Sequence, residues 1–113
     1  MNYLNFTSAA VALRIAQSDA GQGTLLDQVA PFLTLTPGLI LDIEGVLLTS
    51  MAIGELVNVV KEYQRQWEDR FYGLFLVHVS DRNWQTLVTA GLTELIRPFP
   101  SADAAWHAIE KLK

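Results

Sequence analysis

Residues 39–57 read LILDIEGVLLTSMAIGELV. The first half is a short apolar run rich in branched side chains and bounded by Gly38 and Gly45, the pattern of a strand buried on both faces. In the second half the period changes. Ile53, Leu56, Val57, Val60, Tyr63 and Trp67 recur at three- and four-residue intervals and so share one face of a helix, with Glu55, Asn58, Glu62 and Arg65 on the other. A doubly buried strand running into an amphipathic helix is half of a β-α-β unit. The stretch therefore predicts a mostly parallel sheet covered by helices. Thr49 and Ser50 stand at the junction, where either hydroxyl can cap the helix.

The flanking sequence repeats the alternation. GLFLVHVS, residues 73–80, reads as a second apolar strand, with His78 inside it as a core or strand-end histidine making one hydrogen bond. Ser80 caps a following helix that runs through Ala90, with Trp84, Leu87 and Val88 inward and Gly91 at its end. LIRPF, 95–99, is a short strand that Pro98 places at a sheet edge. Ser101 caps a last helix whose inner stripe is Ala102, Ala105, Trp106, Ile109 and Leu112. His107 faces solvent, and Lys111 and Lys113 suit the negative helix end. Upstream, AAVALRI (9–15) has strand character, QSDAGQGT (17–24) is a polar loop, and LLDQVAPFL (25–33) is a short helix that Pro31 breaks or kinks. The expectation is a single α/β domain over residues 1–113, with a mostly parallel sheet of four or five strands and about four helices.

Composition narrows the function. Half of the 113 residues are hydrophobic and 18% are charged, a globular balance. The net charge is −4 with no basic run, which argues against nucleic acid as a partner. Cysteine is absent, excluding disulfides and thiol catalysis and fitting a reducing compartment. No apolar run approaches the roughly 20 residues that cross a bilayer, and MNYLNFTSAA lacks the basic start of a signal peptide. The expectation is a cytoplasmic protein without direct membrane insertion.

Chemistry-bearing patterns are sparse. His78 and His107 have no second metal ligand at a recognised spacing, so no metal or other cofactor is expected. Asp42 and Glu44, two apart on a strand, point to one side and form a candidate polar or nucleotide pocket. AGQGT (20–24) offers Gly21 and Gly23, but Leu26 stands where a dinucleotide fingerprint needs its third glycine. Ser50 lacks the flanking glycines of a nucleophile elbow. No catalytic residue is identified, and the expected protein is not an enzyme. A small-molecule or nucleotide-binding α/β protein using Asp42, Glu44 and AGQGT is the alternative.

LILDIEGVLLTSMAIGELV also resembles the central segment of the STAS domain family, which includes bacterial anti-sigma factor antagonists. In that family a buried strand ends in Asp-x-x-Gly-Val, matched by Asp42, Gly45 and Val46. A loop with an Asp-Ser-Ser-Gly-like motif follows, then a helix. LFLVHVSDRNWQTLVTAGLTELIRPFPSADAAWHAI fits the downstream order of strand, helix, short strand and final helix. The resemblance covers roughly residues 38 to 110. It implies binding to a kinase-type anti-sigma factor, which phosphorylates a serine at the start of the helix and releases its partner, or else a scaffold module of a transporter or sensory complex. The motif departs from the pattern. With one loop residue deleted, Thr49 takes the acidic position, Ser50 the first serine, Met51 the phosphoacceptor and Ala52 the first glycine. Without that gap, Ser50 takes the acidic position and Ala52 the phosphoacceptor. The implied binding survives, while the phospho-switch is lost or moves to Ser50, with Thr49 the second candidate.

The expected partner surface is Thr49, Ser50, Met51, Ala52, Glu55, Asn58, Val59 and Glu62. Helical direction carries Met51 away from the buried stripe, and Val59 lies outside the core arc. Met51 and Val59 among polar neighbours would make an adaptable contact patch. The expected partner is an anti-sigma factor with serine-kinase activity or another signalling protein. A homodimer is also compatible with the sequence.

Overall fold

The computed structural model describes residues 1–112. Strands β1 (Asn2–Phe6), β2 (Ala10–Arg14), β3 (Gly38–Asp42), β4 (Gly73–Val77) and β5 (Ile96–Phe99) form one five-stranded sheet in that spatial order. β2 to β5 are parallel and β1 is antiparallel to β2. The helices are α1 (Leu25–Leu33), α2 (Ser50–Trp67), α3 (Asp81–Thr89) and α4 (Ala102–Leu112). The expected α/β class and mostly parallel sheet are observed.

Each of α1, α2 and α3 links neighbouring parallel strands. Right-handed crossovers progressing in one direction place all three on the same face. There Leu25, Val29, Leu56, Val60 and Leu87 pack with Leu39, Leu41, Leu74 and Leu76. On the other face α4 buries Ala105 and Ile109 against Ala10, Ala12, Ile40, Phe75 and Val77. The alternation along β2, β3 and β4 sends successive side chains to opposite cores, as the pleat requires. Gly38 leaves room for β2 beside it, because a Cβ there would lie 2.9 Å from the Ala9 carbonyl oxygen.

Several elements depart from the expectation. β1 was not anticipated, since all five of its residues are exposed and no burial pattern marks it. β3 stops at Asp42, short of the expected bound at Gly45. α1 continues past Pro31 to Leu33. Pro31 and Asp27 are both exposed, so the carbonyl that loses its helical partner faces water. His78 is not inside a strand: it follows β4 at φ 59°. Val88 and Leu112 are 46% and 40% exposed and leave their expected inner stripes. Ser80 and Ser101 act as caps, accepting from Asn83 N at 3.1 Å and Ala104 N at 3.2 Å. Lys113 lies outside the described residues.

Candidate functional site

The β3–α2 loop, residues 43–49, has no strand of its own to pair with, yet many of its backbone polar groups are bonded. Ile43 N donates to Val77 O at 3.1 Å and Val46 N to Ile43 O at 3.0 Å. Gln17 then grips Leu47 from both ends of its amide: Oε1 accepts from Leu47 N at 2.6 Å and Nε2 donates to Leu47 O at 3.0 Å. Asn83, 2% exposed, reaches from α3 to the other side. Its Oδ1 accepts from Leu48 N at 3.0 Å, and its Nδ2 donates to Val46 O at 2.7 Å. Two side-chain amides thus replace the missing strand partners. A buried amide so used fixes the loop, because releasing it would leave unpaired polar groups in the core.

Thr49 is the helix cap. Its Oγ1 accepts from Ala52 N at 3.2 Å. Ser50 is the first helical residue; it is exposed and its hydroxyl takes no part in that cap. Met51 is 64% exposed. Beside it lies the loop between β2 and α1: Gly21, at φ 83°, comes so close that a Cβ would sit 3.2 Å from Thr49 Oγ1.

Beneath that loop is Glu55, only 9% exposed. Its two carboxylate oxygens accept from Gly23 N at 2.9 Å and Leu25 N at 3.2 Å. Thr24, in the position where a side-chain cap for α1 belongs, makes no such bond. Glu55 supplies the cap from a different helix, and its negative charge suits the N-terminal end of α1.

The expected partner surface therefore needs correction. Ala52 and Val59 are 1% and 0% exposed and belong to the core, and Glu55 is bound to the chain's own amides. The cause is α1, which packs along α2 and extends the buried arc to Ala52, Glu55, Leu56, Val59, Val60 and Tyr63. Ile53 and Val57 are half-buried at its margin. Thr49, Ser50, Met51 and Asn58 stay exposed, and Glu62 is half-buried and paired with Arg65. Two hollows flank the start of α2. One of about 550 Å³ is lined by Ser50, Ile53, Arg82, Gln85 and Thr89. The other, about 480 Å³, is lined by Gln17, Gly21, Gln22, Thr49, Ser50 and Met51.

Asp42 and Glu44 do lie on one side, meeting at His78, whose Nδ1 is 3.0 Å from Asp42 Oδ1 and 3.8 Å from Glu44 Oε2, but they differ in setting. Glu44 lies beyond the strand and is exposed, whereas Asp42 is 3% exposed. Asp42 Oδ2 accepts from Arg14 Nε at 3.1 Å and Nη2 at 3.0 Å. Its Oδ1 accepts from Glu44 N at 3.0 Å and lies 3.0 Å from His78 Nδ1. Burial pushes the Asp42 carboxyl upward, but the bonds from Glu44 N, His78 and Arg14 outweigh it and hold the group below its ordinary value. The cluster ties together the ends of β2, β3 and β4. AGQGT is not part of it: Gly21 lies against Thr49, and Gly23 N and Leu25 N are already bonded to Glu55.

Gln17 and Asn83 were not singled out in the sequence. Asn83 carried a readable signal, being an amide one helical turn from Leu87 on the inward face of α3. Gln17 carried none.

The sequence matches no family model, and no curated protein matches it. Solved structures do match. The protein TM1081, determined by NMR, superposes with a TM-score of 0.74 at 15% identity, covering 96% of this chain and 87% of its own. An anti-sigma-factor antagonist (STAS) domain protein from Planctomyces limnophilus gives a TM-score of 0.56 at 12% identity, covering 99% of this chain and 98% of its own. The chain has the STAS fold.

Proposed function

We propose that this chain is a non-enzymatic protein-interaction domain of bacterial regulation, resembling an anti-sigma factor antagonist, and that it binds a kinase-type anti-sigma factor. The carrying observation is Met51, 64% exposed at the end of a loop clamped by Gln17 and Asn83. A contact held in place before binding loses little conformational freedom on docking. Methionine adapts its shape to an apolar partner pocket. Thr49, Ser50 and Met51 form the centre of the surface, with Asn58 and Glu62 further along α2.

Ser50 is the phosphoacceptor of this reading in preference to Thr49. The Thr49 hydroxyl is occupied as the cap, whereas Ser50 is exposed at the first turn of α2. A phosphate on it would meet the positive end of the helix dipole. Binding measured by calorimetry against a purified kinase-type anti-sigma factor tests the surface. Met51→Asp is expected to weaken affinity about tenfold or more, as loss of a central contact does. Unchanged affinity would remove this face from the interface. Mass spectrometry after incubation with the kinase and ATP tests the switch. An unmodified Ser50 would leave a constitutive binder.

A further inference from the structure

The two edges of the sheet are built differently. At β5, Arg97 and Pro98 are exposed, and a charge and a missing N–H are the usual means of discouraging strand addition. β1 has neither. Its sequence is NYLNF, and no Asp, Glu, Lys or Arg occurs from Met1 to Leu13. Tyr3, Leu4 and Phe6 are 59%, 42% and 41% exposed. Among the described residues no other five-residue stretch exposes three large apolar side chains.

The register concentrates these side chains. Tyr3 pairs with Leu13 and Phe6 with Val11, and the ladder shifts between Tyr3 and Asn5. Residues three apart on a regular strand point to opposite faces. The bulge at Leu4 changes that. Because cross-strand partners share a face and Leu13 and Val11 are two apart on β2, Tyr3 and Phe6 project on one side. A bulge often twists an edge away from further pairing, but here its effect is to gather two aromatic rings. The Phe6 amide donates at 2.8 Å to Asn5 Oδ1, a local substitute for a strand partner.

We propose that β1 is the pairing edge of a homodimer, in which a second copy lays its own β1 antiparallel across a two-fold axis and continues the sheet. Antiparallel self-pairing needs no complementary surface elsewhere, because a strand's outer edge complements itself about that axis. An axis between Leu4 and Asn5 brings Tyr3 of one copy towards Phe6 of the other. Two molecules of net charge −4 repel in general, and a 13-residue segment with no charged side chain, whose Met1 ammonium is already paired with Asp19 at 3.2 Å, is where they approach at least cost. The exposed parts of Tyr3 and Phe6 amount to one aromatic side chain's surface, roughly 150–250 Å² per copy. Adding Leu4 and the strand backbones leaves the interface below the roughly 1,200 Å² of a standard complex. The dimer is therefore of the weak, reversible class.

Sedimentation velocity on the 113-residue chain from about 10 µM to about 1 mM tests this. The wild type is expected to move from monomer to dimer across that range, and Tyr3→Lys/Phe6→Lys to remain monomeric with an unchanged far-ultraviolet spectrum. Hydrogen exchange on the wild type at both ends of the range is an independent readout, with protection gained at Asn2–Phe6 and not at β5. A wild type still monomeric at about 1 mM would leave this edge to a different protein and overturn the proposal. So would a dimer whose protection lies outside β1, or one that survives both lysines.

Discussion

Glu55→Gln separates the two descriptions of α2 most sharply. A glutamate on the outer face of a helix tolerates this change, since such substitutions usually fall within about 0.5 kcal/mol. The structure instead places both carboxylate oxygens on backbone donors, at 2.9 Å from Gly23 N and 3.2 Å from Leu25 N. Glutamine keeps one acceptor and turns an NH₂ towards the other amide. Hydrogen bonds to a charged group contribute about 1.5–3 kcal/mol each, so losing one and weakening the other costs about 2–3 kcal/mol. A domain of this size has about 5–15 kcal/mol in all. Urea unfolding should show a lower midpoint with an unchanged slope, and the melting temperature should fall by about 8–12 °C. Glu62→Gln is the control. It lies on the same outer face in the sequence reading but loses only an exposed pair with Arg65, and its midpoint should not move. If Glu55→Gln behaved like the control, Glu55 would not be capping α1.

Two further outcomes follow from the core. The Tyr63 hydroxyl is buried with no hydrogen-bond partner, and burial pushes its pKa up. Tyr63→Phe should therefore raise the unfolding free energy by about 1 kcal/mol, and a loss of stability would show that the hydroxyl has a partner in solution. Asp42 has a folded pKa below its unfolded value, so its stabilising contribution is complete above about pH 4 and is lost as the pH falls through the folded value. Urea midpoints against pH should drop in acid for the wild type, and Asp42→Asn should be less stable near neutrality with a shallower acid decline. Parallel curves would assign the acid sensitivity to other carboxylates.

The sheet was legible because burial on both faces writes itself as an uninterrupted apolar run. Leu39 to Leu41 and Leu74 to Val77 need no context to be read. β1 was illegible for the converse reason: a strand exposed along its whole length leaves no pattern, and only its pairing with β2 defines it. The widening of the buried face of α2 towards Ala52, Glu55 and Val59 had a related cause. Helical spacing locates one apolar stripe but cannot report a second helix beside it, and α1 buries Val59 and Glu55 from that side. Met51 lies outside, as its helical direction predicts, at 64% exposure. Asn83 and Gln17 act through single side chains on a distant loop, 35 and 30 residues away in sequence; the spacing of Asn83 to Leu87 marks it as inward but does not name that partner, and Gln17 has no such mark.

The AGQGT segment bears on the nucleotide-binding reading on physical grounds. A phosphate cradle requires several backbone N–H groups that converge on empty space. Two of the amides in and beside this segment, Gly23 N and Leu25 N, converge instead on the carboxylate of Glu55, which already fills the position an anion would take. A nucleotide would have to displace a buried, covalently attached anion from its own donors. The arrangement has a structural consequence as well. It fixes the β2–α1 loop against the first turn of α2, so that Gln17 can hold Leu47 and Gly21 can lie beside Thr49. The same glutamate that closes a phosphate site therefore braces the loops on which Met51 stands. That is why Glu55→Gln should weaken partner capture as well as folding, even though Glu55 lies in the interior.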